Sequence, residues 1–107
     1  MDAEQLKNLA DYQFDRSVQL QTQKEIFQSK LLIAHNGGLF SAGPQLIGFL
    51  NSFKSNTQLV VEDTYGNPVQ VETGILLKKA IAAYTQASMD WHDQVESINS
   101  VRKALDV

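Results

Sequence analysis

The chain contains no cysteine among its 107 residues. Disulfides and thiolate zinc sites are therefore excluded. Proline occurs only twice, at Pro44 and Pro68, which leaves both ends of the chain free to run as long helices. The longest clean aliphatic stretch is Leu31 to Ala34, far short of a membrane span. The opening Met1-Asp2-Ala3-Glu4-Gln5 is acidic and polar, unlike a secretory leader, so a cytoplasmic setting is expected. No stripe of one charge runs along the chain, and net charge is −3, which argues against broad, sequence-independent nucleic-acid binding. Lys24, Lys30, Lys54, Lys78 and Lys79 could gather near the middle of the chain. The expected reading is a solvated rim, with a small nucleic-acid-binding accessory role as the alternative.

What is present fits one ordinary globular domain. The hydrophobic share is 43% and the charged share 20%, outside the range of disordered chains. Residues 2–28 lack glycine and proline and read as a helix. Leu6, Ala10, Phe14 and Val18 recur every fourth residue, with Leu9 beside them, and mark one helical face. Asp2 and Glu4 suit the positive end of the helix dipole. Ser17 to Thr22 alternates like a strand, but its glutamines and its flanks favour helix. Six glutamines between Gln5 and Gln28 give a neutral surface of good helix formers.

The pattern changes at residue 30. A hairpin is expected over 30–41, because Asn36-Gly37 supplies the two positive-φ residues of a type I′ turn. Pro44 opens a short helix over 44–53, with Leu46, Phe49, Leu50 and Phe53 on its buried face. A second hairpin is expected over 58–72, with Val69 and Val71 inward. Thr73 is a fitting N-cap for a final helix over 74–105. In that helix Leu77, Ile81, Tyr84, Ser88, Trp91, Val95, Ile98, Arg102 and Leu105 follow alternating steps of four and three, a coiled-coil-type seam.

The fold class expected is α+β. Long N- and C-terminal helices pack antiparallel, with two short β-hairpins and a short helix between them. A helix over 74–105 would be roughly 46 Å long, whereas a compact chain of this size has a radius of gyration near 13 Å. The helices should therefore project beyond the body, bringing Asp2, Glu4, Asp11 and Asp15 near Arg102 and Lys103. Two helices with a head rarely bury both seams. Leu77, Ile81, Tyr84, Trp91, Val95 and Ile98 are thus candidate interface anchors for a homo-oligomer or a partner protein helix.

Signatures of chemistry are weak. His35 sits at a turn, where a polar residue is ordinary. His92 and Glu96 share a helix face, but two ligands make no metal site. Asp11 with Asp15, and Glu62 with Asp63, read as surface carboxylates. Residues 63–67 lack the alternating acids of a calcium loop. No phosphate-binding glycine motif or nucleophile elbow exists. Tyr12, Phe14, Phe27, Phe40, Phe49 and Phe53 are better core candidates than a base-stacking platform. No enzyme activity, cofactor, metal or small-molecule substrate is expected.

Residues 31–53, LLIAHNGGLFSAGPQLIGFLNSF, with Tyr65-Gly66-Asn67-Pro68 and Met89-Asp90-Trp91-His92, resemble small uncharacterised proteins of tailed phages of marine bacteria. The resemblance implies a virion or an infected host's cytoplasm as the setting, and no activity. In topology the expected fold also looks like a prefoldin-type subunit, whose hairpins assemble and whose helices project. The helix from Pro44 and the aromatic final helix depart from that pattern.

Overall fold

The computed structural model describes the backbone of residues 2–105 and the side chains of residues 2–100. Helix α1 spans Ala3–Lys30, two residues longer at its end than the sequence suggests. Asp2 caps it. Its carboxylate accepts from the Gln5 N–H at 2.8 Å, and the Gln5 side chain accepts from the Asp2 N–H at 3.1 Å, closing a capping box. Ser17 to Thr22 is helical throughout, so glutamine content outweighs the local alternation.

Two separate antiparallel hairpins follow. The first pairs β1 (Leu32–His35) with β2 (Gly38–Ser41), and the second pairs β3 (Gln58–Glu62) with β4 (Pro68–Glu72). Asn36 and Gly37 both have positive φ, 48° and 82°, as the type I′ turn requires. Between the hairpins lies α2 (Pro44–Ser52), with proline in its first turn. The final helix, α3, spans Thr73–Leu105. Thr73 is the first helical residue rather than the cap, and its fully buried hydroxyl finds no partner.

The hairpins and α2 form a head around Phe40, Leu50, Val61, Val71 and Leu76, with Ile33, Leu46, Leu59, Val69 and Leu77 packed against it. Hydrogen bonds to backbone carbonyls lock the hairpins together. The Thr64 N–H donates to the Leu39 carbonyl at 2.8 Å, and the Asn36 side chain donates to the Gln70 carbonyl at 3.0 Å. Gly38 sits so close to the second hairpin that a Cβ would lie 2.8 Å from a Val69 methyl. On α2 the buried face is narrower than expected. Leu46 and Ile47 are half-buried and Leu50 is buried, but Phe49 and Phe53 stay exposed at 43% and 41%, their rings in tilted contact at 5.0 Å.

From this head, α1 and α3 project as an antiparallel arm. Contacts between Lys30 and Asp90, and between Arg16 and Asn99, show that one helix descends as the other climbs. The molecule measures 65 × 24 × 18 Å, and its radius of gyration of 19.7 Å far exceeds the roughly 13 Å of a compact chain this long. Helix α1 has no fully buried residue.

Candidate protein-interaction surface

The arm is stitched along one face of each helix. At its base, Leu31, Ala42, Ala80 and Ala87 are buried, and the alanines let neighbouring elements approach closely. Farther along, Phe27 meets Tyr84 edge-on at 6.2 Å and stacks on Trp91 at 4.6 Å. Near its outer part the contact turns polar: the Arg16 guanidinium donates to Asn99 Oδ1 at 2.9 Å. The Tyr12 hydroxyl, Arg16 Nε and Trp91 Nε1 are buried there without a partner. Each such group costs free energy if water or another chain does not satisfy it.

The candidate anchors on α3 separate into two sets. Tyr84, Trp91, Val95 and Ile98 are half-buried and lie on the stretch that runs along α1. Near the head the buried positions are instead Leu76, Ala80 and Ala87, one residue before the expected Leu77, Ile81 and Ser88. The shift arises because α3 also packs there on α2 and the hairpins, which approach from another side. Leu77 is half-buried against the head core, and Ile81 is 46% exposed. The side chains of Val101, Arg102, Lys103 and Leu105 lie outside the described residues, and so does the expected pairing of Arg102 and Lys103 with the acids of α1.

On α1 the arm turns away the face that the sequence marks most plainly. Positions packed inward are Tyr12, Arg16, Leu20, Gln23, Phe27 and Leu31, in steps of four, four, three, four and four. The every-fourth row beginning at Leu6 and Ala10 continues through Phe14, Val18, Thr22 and Ile26, and every member is exposed. Phe14 is 69% exposed, Leu6 55%, Val18 49% and Ile26 40%. Geometry explains the inversion. Each step of four advances about 40° beyond a full turn, so a strict row of fours winds around the helix. It cannot follow a partner lying nearly alongside, whereas a mixture of fours and threes can. The missed signal was thus the spacing itself. Phe14, together with Phe49 and Phe53, is consequently not a core residue.

Ionisable groups reveal two further departures from the sequence reading. Asp63 is buried rather than superficial. Its carboxylate accepts from the N–H groups of Asn67 at 2.9 Å, Tyr65 at 3.0 Å and Leu39 at 3.3 Å. The Asn67 bond, opposed by burial and aided by Leu39 and Tyr65, holds its pKa below the ordinary carboxylate value. Asp63 is a clasp between the two hairpins. His35, at the end of β1, is buried too, with the Glu72 N–H 3.4 Å from Nε2 and the Lys79 ammonium 3.4 Å from Nδ1. His92 is exposed and contacts Asp93 at 3.5 Å rather than Glu96. Of the central lysines, Lys30 pairs with Asp90.

Among the described residues, no cluster of His, Asp and Glu could hold a metal ion, and no helix is long and apolar enough to cross a membrane. An open cleft of about 760 Å³ lies on the head between β2, β3 and α2, walled by Phe40, Pro44, Leu46, Phe49 and Val61. No protein-family model, curated protein or solved structure matches the chain.

Proposed function

We propose that the protein is a non-enzymatic structural or assembly protein that works through helix-mediated self-association or binding of a partner helix. The observation that carries this reading is the exposed apolar row on α1, running from Leu6 through Phe14 and Val18 to Ile26. Water gains nothing from that row. Each large side chain covered by a partner contributes on the order of 1–2 kcal/mol. Head and arm divide the labour: the head holds the fully buried core, and the arm carries the α1 row outward. The setting proposed is a phage particle or an infected cell, on the resemblance of residues 31–53, 65–68 and 89–92 alone.

The test is site-specific photo-cross-linking from position 14 inside cells that make the protein, with an exposed head position, Tyr65, as reference. Protein adducts from position 14 well above the reference support the reading. Equal silence from both positions overturns it.

A further inference from the structure

We infer that the head takes up an extended peptide segment of a partner protein as an added strand on the free edge of β3. This surface is separate from the α1 row and does not depend on how that row is used.

Hydrogen-bond register fixes which groups lie on that edge. The Asp63 N–H donates to the Asn67 carbonyl at 2.9 Å, and the Thr73 N–H to the Thr57 carbonyl at 3.0 Å. Bonded pairs alternate along an antiparallel ladder. Gln58–Glu72, Val60–Gln70 and Glu62–Pro68 fall out of phase with these bonds, so their backbone polar groups point outward from the hairpin. On β4 the first hairpin claims them. The Asn36 side chain donates to the Gln70 carbonyl at 3.0 Å, the Glu72 N–H lies 3.4 Å from His35 Nε2, and Pro68 has no N–H. On β2 the outward Leu39 N–H donates to Asp63 at 3.3 Å, and the Leu39 carbonyl accepts from the Thr64 N–H at 2.8 Å. Among the described residues, no such bond reaches the outward backbone groups of Gln58, Val60 or Glu62. Nor does β3 carry the proline, lysine or bulge that commonly blunts an edge.

This edge opens on the cleft of the head. The hairpins touch edge to edge at Leu39 and Thr64 and then part, because the Ser41 carbonyl accepts from the Gly43 N–H at 2.9 Å instead of continuing toward Glu62. The gap is the cleft of about 760 Å³, with Val60 and Glu62 on one side and Ser41, Pro44, Leu46 and Phe49 on the other.

The chemistry of the gap selects its occupant. Outward N–H and carbonyl groups at every second residue are matched by another extended backbone, not by a helix, whose backbone bonds are internal. Phe49 and Val60 remain 43% and 66% exposed and offer apolar surface to alternate side chains of the added strand. No lysine, arginine or histidine lines the cleft. Glu62 is exposed there, whereas the Asp63 carboxylate already accepts from three N–H groups. The segment is therefore apolar at alternate positions and neutral or basic rather than acidic. A second copy fits this gap less well, because its β3 brings β4 about 5 Å farther out, toward the side where α2 stands.

The experiment selects a library of random short peptides, displayed on yeast, against the full chain, and synthesises the strongest binder. That peptide should carry apolar residues at alternate positions and should slow amide exchange at Val60 and Glu62. Val60→Pro removes an N–H that bonds nothing within the chain, and should weaken binding about tenfold or more. If circular dichroism shows that this variant misfolds, N-methylation of the peptide at alternate residues gives the same readout with the protein unchanged. A library without binders overturns the inference. So does a binder that leaves those two amides exchanging as before, or one indifferent to both changes. Sedimentation of the chain alone covers the remaining occupant: a dimer that protects the same amides and that Val60→Pro dissociates would put a second copy on the edge, and overturn the partner peptide.

Discussion

Head and arm are made from similar residues and treat them in opposite ways. In the head, Phe40 retains 2% of its exposure and Leu50, Val71 and Leu76 none. In the arm, Phe14 retains 69%, and α1 buries no residue completely. The head wraps four strands and a helix around a point, so apolar groups meet neighbours on several sides. The arm is two helices side by side, and each can cover only one face of the other. Loss of a contact should therefore be felt strongly in the head and weakly on the arm's outer face. The arm's outer face offers apolar surface to a partner without unfolding, as do Phe49, Phe53 and Val60 on the head.

The sharpest test of this division is a pair of truncations read by urea unfolding. Phe40→Ala is expected to cost about 3–5 kcal/mol, because the surrounding core cannot collapse into the space. Phe14→Ala, at concentrations where the chain is monomeric, should change stability by less than about 0.5 kcal/mol. A large loss from Phe14→Ala would mean that its face is covered within one copy.

The clasp at Asp63 comes next. Because its folded pKa lies below the unfolded value, it contributes stability above that value, near 3.8, and the contribution disappears as pH falls through the folded pKa. Asp63→Asn should lower the urea midpoint at pH 7, since its amide NH2, a donor, must face an N–H group where a carboxylate oxygen accepted. The gap between variant and wild type should close as pH is taken from about 5 toward 2. A constant gap would show that charge is not what the clasp uses. Smaller still is the coupling along the arm. A double-mutant cycle on Phe27→Leu and Trp91→Leu should give about 0.5–1.5 kcal/mol, the ordinary worth of a stacked pair beyond its area. Zero coupling would mean that the helices separate in solution.

Much of this architecture is legible in the chain. The absence of proline and glycine from residues 2–28, the Asn36-Gly37 turn, Pro44 at a helix start and the alternation of Val69 and Val71 are local signals, and each acts where it stands. The site was less legible. Asp63 looks like any turn carboxylate until Leu39, 24 residues earlier, supplies an N–H to it. His35 looks like a turn residue until Glu72 and Lys79 close over it.

The sequence by itself determined which segments are helix and strand, with their ends to within a residue or two, because capping, turn geometry and periodicity depend on near neighbours. It also determined that the molecule would be long, since α1 and α3 outrun any head that the remaining residues can build. Only the tertiary structure decided which faces are inward. A helix with apolar residues on more than one side has no preferred inside until a second element approaches, and α3 chose the face of Tyr12, Leu20 and Phe27 over that of Leu6, Phe14 and Val18. Pairing angle selects between them: mixed steps of four and three follow a helix lying alongside, and unbroken steps of four wind away from it.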